Sequence, residues 1–152
     1  MNGMKPLFGL VCFLGALMGV GGCASQVPSV SYVKISPLGD QDKPIATIWI
    51  SDRDMPSKGP PFEENVKLSR NSFLKILAVT NETACAPFPR KTERVQFGEI
   101  EVRSRDGSGS EISCKLDQIR SCKYLADLLN IKILYSEELV PVERMRKRFG
   151  CS

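Results

Sequence analysis

Glu99 and Glu101 stand two residues apart in a stretch whose alternation reads as a β-strand, so their carboxylates share one face. Two carboxylates on one face are the raw material of an acid–base pair or a glycosidase. Arg103 continues the same face, and alternating charge of this kind is also the ordinary solvent side of an antiparallel sheet, which is the reading adopted here. Asp52, Arg53 and Asp54 form a second charged group, in a loop stiffened by Pro56, Pro60 and Pro61. The spacing of a calcium loop does not follow, so this is read as a solvated loop placed for partner contact. Arg144, Arg146, Lys147 and Arg148 make the far end basic. Such a cluster suits anionic lipid head groups, an acidic partner, or simply the negative end of a helix. It lacks the interleaved aromatics of a nucleic-acid platform. The adjacent Glu63 and Glu64 form no constellation.

The absence of histidine narrows the chemistry further. It removes the commonest general base and metal ligand, and with them every Ser-His-Asp or Cys-His nucleophile system. No C-x-x-C pair stands in for a metal site. Neither a catalytic constellation nor a cofactor or metal is expected.

The elements that must position these residues follow from period and punctuation. Residues 30–36 alternate, with Val33 and Ile35 on one side and Tyr32 and Lys34 on the other, which predicts a strand. Residues 45–50 are apolar on both faces and predict a strand that is either central in a sheet or lies under a helix, with Trp49, the only tryptophan, as a core anchor. A short strand is expected at 66–68. Ser69 is an N-cap for a helix to about Val79, whose face is Phe73, Ile76, Leu77 and Thr80. After an irregular connection, 95–103 and 111–116 form a hairpin around the 106–110 turn, Asp-Gly-Ser-Gly-Ser. The turn glycines join two strands and no Lys-Ser/Thr follows, so they are not a phosphate loop. Asp117 caps a helix over 118–130 with a stripe of Ile119, Cys122, Leu125, Ala126 and Leu129. A strand at 131–135 and a helix or extended tail at 137–149, interrupted by Pro141, complete the order. Hairpins with helices grouped together predict an α+β fold: an antiparallel sheet with helices packed on one face, in two layers.

The beginning of the chain is of a different kind. Lys5 precedes an apolar run at 7–20, and small residues follow, the three parts of a secretory signal. The run is short for a membrane span, which needs roughly 20 residues. Val20-Gly21-Gly22-Cys23 resembles the lipobox of bacterial lipoproteins, with Val20 where Leu is more usual. The resemblance implies cleavage before Cys23, lipid on its sulfur and amine, and residence in the cell envelope. The absence of Asp after the cysteine implies the outer membrane, facing the periplasm. The domain organisation expected is a signal peptide at 1–22, a lipidated tether at 23–30 and one α+β domain at 31–152. The membrane is then a partner through the anchor.

If Cys23 carries lipid and Cys12 leaves with the leader, Cys85, Cys114, Cys122 and Cys151 remain. Four cysteines in an exported domain predict two disulfides with three possible pairings. Cys114 and Cys122 lie on the apolar faces of a strand and of the helix behind it. Their pairing, with Cys85 to Cys151, is preferred, and pairings of Cys85 with Cys114 or with Cys122 stay open.

These features predict a lipid-anchored envelope protein with a non-enzymatic binding role, of the inhibitor or immunity type, capturing another protein. The contact surfaces expected are the 52–62 loop, the face of Glu99, Glu101 and Arg103, and the basic end. A structural or accessory subunit of an envelope or secretion complex is the alternative, and a carboxylate hydrolase a third, which requires Glu99 and Glu101 in one pocket.

Overall fold

The computed structural model describes residues 30–55, 63–84 and 98–152. The leader, Cys23, most of the tether and Cys85 lie outside the described residues. Five strands form one sheet: β1 (Tyr32–Leu38), β2 (Thr47–Ser51), β3 (Glu63–Lys67), β4 (Glu99–Arg105) and β5 (Glu111–Leu116). Their order is β3-β2-β1-β4-β5. Three helices accompany them: α1 (Arg70–Val79), α2 (Gln118–Leu129) and α3 (Val140–Arg148).

The expected α+β architecture is present, with one departure in the sheet. β1 runs antiparallel to β2 and β4, and β4 to β5, but β3 runs parallel to β2. A tight hairpin would have forced the antiparallel arrangement. The connection from Asp52 to Phe62 is long enough to carry the chain back to the end of the sheet from which β2 started.

One sheet face and all three helices share a single apolar core. Val33, Ile35, Ile48, Ile50, Ile100 and Val102 point into it from the strands, and Phe73 and Ile76 from α1. Tyr124, Leu125 and Leu128 enter from α2, and Val142 and Met145 from α3. Burying each of these aliphatic side chains stabilises the fold by roughly 1.5–3 kcal/mol. Trp49, expected in this core, faces the other way. It pairs with Lys34 across β1 and β2 and so lies on the sheet face opposite the three described helices.

Local chemistry explains the helices. The Ser69 hydroxyl accepts the Ser72 amide at 3.3 Å, as an N-cap should, and the predicted apolar face of α1 is buried. The helix widens into a π-helical turn, Thr80–Ala84. There the buried Thr80 hydroxyl reaches the Ile76 carbonyl oxygen and the Tyr124 hydroxyl, each at 2.8 Å, and so joins α1 to α2. Burial raises the Tyr124 phenol far above its usual range, with the Thr80 bond opposing, so it stays neutral. Asp117 caps α2 by accepting the Arg120 amide at 2.9 Å.

The buried stripe of α2 is rotated from the predicted one. Ser121, Tyr124, Leu125 and Leu128 are buried, whereas Ile119 is 70% exposed. Both stripes have helical spacing. The observed one wins because Ser121 can bury, its hydroxyl donating to the Leu116 carbonyl oxygen at 3.1 Å. The strand predicted at 131–135 does not form. Its backbone is satisfied by α1 instead, through Lys75 Nζ to the Lys132 oxygen at 2.8 Å and the Leu134 amide to the Ser72 hydroxyl at 3.4 Å. Glu137 accepts both the Leu134 amide, at 3.2 Å, and the Ser69 amide. Pro141 starts α3 rather than breaking it, because the first turn of a helix does not use that amide.

Candidate functional site: a groove beneath α3

The charged groups singled out by sequence do not assemble into one site. Asp52 accepts from Arg70 at 2.7 Å and Asp54 from Lys67 at 2.8 Å. Each aspartate thus has its own cation, and the two do not converge. The Arg53 amide donates to the Ser51 hydroxyl at 3.2 Å. Glu101 accepts from Arg103 Nη2 at 2.8 Å and from the Ser113 hydroxyl at 3.1 Å. Glu99 lies at the start of β4 opposite Leu38. Neither carboxylate lines the concave surface described below, so the pocket that a Glu99–Glu101 hydrolase requires is not formed by that surface.

The sheet face opposite the described helices carries a cluster that sequence reasoning missed. Tyr32 and Trp49 meet edge to face at 5.0 Å between ring centroids. The Lys34 ammonium lies 5.0 Å from the Trp49 ring, and the Arg105 guanidinium 5.2 Å from Tyr32. Glu111 closes the row, accepting from Arg105 at 2.7 Å and from the Tyr32 hydroxyl at 3.0 Å. Those two donors, Arg105 foremost, hold the Glu111 carboxyl below the usual carboxylate range. Burial, then the bond to Glu111, pushes the Tyr32 phenol up. The alternation of Tyr32 with Lys34 was visible in sequence; the cross-strand neighbours that complete the row depend on register.

The basic end divides. Pro141, Arg144, Met145 and Arg148 recur at helical spacing on one face of α3 and line a groove of about 600 Å³. Its other walls are Pro37, Leu38, Ile45 and Ile48 from β1, β2 and their connection, Glu63 and Glu64 from β3, and Gly98 and Phe149. Arg144 is ion-paired with Glu64, so two acids that gave no constellation in sequence belong to this site. Lys147 pairs with Glu143 at 2.9 Å, away from the groove lining, and Arg146 is half-buried. The volume falls within the range of ordinary ligand pockets, about 300–1,000 Å³, and the lining is mostly apolar with a few charges.

A short helix at a chain end is held in place by three devices. Val142 and Met145 are buried in the core. Gln118 on α2 donates to the Phe149 carbonyl oxygen at 3.1 Å. One turn further along α2, Cys122 is disulfide-bonded to Cys151, with Cα atoms 5.3 Å apart. Gly150 makes this reach possible: its φ of 67° ends α3 with Cys151 N bonded to the Arg146 oxygen and Gly150 N to the Lys147 oxygen, a Schellman motif.

The preferred pairing of Cys114 with Cys122 is therefore wrong. Cys122 shares a helical face with Gln118, one turn away, and that face is turned toward the end of α3. Cys114 is also disulfide-bonded, to a partner outside the described residues. Its sulfur lies 3.4 Å from the carbonyl oxygen of Ala84, the residue before Cys85. The pairing of Cys85 with Cys114, left open by the sequence, involves a residue outside the described ones. A disulfide sulfur carries no proton, so the approach to Ala84 is a contact and not a hydrogen bond.

Among the described residues, no three His, Cys, Asp or Glu side chains are grouped so as to hold a metal, and no helix is long and apolar enough to cross a membrane. Compared with protein-family models, curated proteins and solved structures, the chain matches none.

Proposed function

We propose that this is a lipid-anchored protein of the bacterial cell envelope that binds and captures another protein, without catalysis. The observation that carries the binding part is the α3 groove: a mostly apolar concavity with charged side chains on two of its walls. The anchoring part rests on the leader and on Cys23. The alternative, an accessory subunit in a stable envelope complex, has one observation in its favour. Leu134 and Tyr135, adjacent between α2 and α3, are 55% and 105% exposed, and a permanent interface would cover them.

Expression of the full chain in a bacterial host, with gentle detergent extraction, tests these readings. Capture predicts a monomer that acquires its partner when that partner is present. A stoichiometric complex persisting through purification, with Tyr135 protected, favours the accessory subunit. Cys23→Ala is expected to release the protein from washed membranes, and retention there would remove the anchor from the account.

A further inference from the structure

The groove has a direction as well as a volume. At the lower end of the sheet the strands lie in the order β3, β2, β1, β4. Glu63 opens β3 opposite Thr47 of β2, and Gly98 immediately precedes β4 on the far side of β1. Three strand spacings separate these positions, about 14 Å. α3 runs across the same strand ends. Its Arg144 is tied to Glu64 at the β3 side. Phe149 lies beside Gly98 at the β4 side, 3.9 Å from where a Cβ on that glycine would stand. Arg148 lines the groove one helical turn beyond Arg144, on the side of α3 that leads to Phe149, whereas Glu63 enters it from β3. Neither Glu63 nor Arg148 has an ion-pair partner among the described residues. Ile48 and Met145, both nearly buried, form part of the lining, with Phe149 at the β4 end and Ile45 at the rim, 59% exposed.

We propose that this groove receives a short extended segment of the captured protein, with apolar side chains at its centre, an acidic group that reaches Arg148 and a basic group that reaches Glu63. The inference rests on the capture reading and adds the chemistry of what is captured. A segment of roughly four residues spans the distance at about 3.4 Å per residue. An acyl chain with an anionic head would answer Arg148 and the apolar floor but leave Glu63 facing hydrocarbon. A sugar would leave the exposed Ile45 at the rim without apolar contact. A polypeptide carrying both charges around an apolar centre complements all of them, and such charges at a rim act mainly on specificity.

Fluorescence anisotropy with the full chain in detergent tests this, using labelled, end-blocked peptides with a Leu-Phe-Leu centre. One has Lys and Glu at its two ends, one Lys at both, one Glu at both, and one keeps Lys and Glu but has a Ser centre. An extended peptide can enter in either direction, so the order of the two charges is not at issue. The Lys/Glu peptide is expected to bind about tenfold more tightly than each of the others. Arg148→Glu should transfer the preference to the Lys/Lys peptide, Glu63→Lys should transfer it to the Glu/Glu peptide, and Ile45→Glu should weaken all of them. Equal affinities, no binding at millimolar concentration, or preferences unmoved by both charge reversals would overturn the proposal. So would binding of palmitate that depends on Arg148 and ignores Glu63→Lys, which would make the site one for an anionic lipid. If the full chain still captures an envelope protein and Ile45→Glu and Arg148→Glu capture it equally, this inference fails while the capture reading stands. If no protein is captured, the capture reading fails on its own terms.

Discussion

The sheet face opposite the described helices and the α3 groove are both rich in charge, and they use it in opposite ways. On the sheet face most of the charges answer one another, Glu101 with Arg103, Glu111 with Arg105 and Lys115 with Asp42, while Lys34 lies over Trp49. At the groove, Glu64 and Arg144 are paired while Glu63 and Arg148 line it beside an apolar floor. A dense polar surface is thus no sign of a site when its members are satisfied by their neighbours. The groove is the place where a partner would supply contacts that the fold does not.

The sharpest way to separate the two regions is to release the groove wall alone. Cys151→Ser removes a crosslink closing 29 residues and is expected to cost about 3 kcal/mol, read from a denaturant midpoint. Trp49, the only tryptophan, sits on the other face, so native emission should be unchanged while the groove loses its peptide preference. A shifted native spectrum would show that the two faces are coupled.

A smaller effect is expected from Arg105→Ala, which removes the cation over Tyr32 and the partner of Glu111. The expected cost is about 1 kcal/mol, with altered Tyr32–Trp49 fluorescence and no change in groove binding. Acid should weaken the fold in a predictable direction. The Glu111 carboxyl is lowered in the folded state, by Arg105 first and then Tyr32. Glu137 is lowered too: burial pushes it up, but the bonds from Ser72, Ser69 and the Leu134 amide outweigh that. A depressed folded value contributes stability above the unfolded carboxylate pKa, about 4.3, and loses it as pH falls through the folded value. Glu111→Gln and Glu137→Gln should each flatten the acid limb of a stability–pH curve, and an unchanged limb would contradict these bonding patterns. Least of all, Arg148→Ala should alter stability by no more than about 0.5 kcal/mol, because an exposed side chain with no ion-pair partner among the described residues holds nothing together.

Much of the scaffold was legible from local chemistry. Ser69 and Asp117 cap α1 and α2 as their types require, and Asp106 organises the hairpin turn by accepting the Ser108 and Ser110 amides at 2.8 and 3.1 Å. What escaped depends on contacts distant in sequence. The stripe of α2 could be chosen only by knowing that Ser121 meets the end of β5. The failed strand at 131–135 was decided by side chains of α1. The parallel β3 and the Cys122–Cys151 bridge follow from where long connections return. The groove was the least legible part. Arg144 and Arg148 were visible as a basic cluster and Glu63 and Glu64 as two idle acids, and only the crossing of α3 over the strand ends brings them together.

The proposed capture places a partner in the groove and not on the sheet face opposite the helices. Site-specific photo-crosslinking in living cells distinguishes the two surfaces, with a photoreactive residue replacing Ile45 at the groove rim or Lys34 on the sheet face, in the otherwise unaltered full chain. The expected result is a discrete adduct from position 45 that Arg148→Glu abolishes, and none from position 34. An adduct from position 34 alone, or one from position 45 that survives Arg148→Glu unchanged, would contradict it.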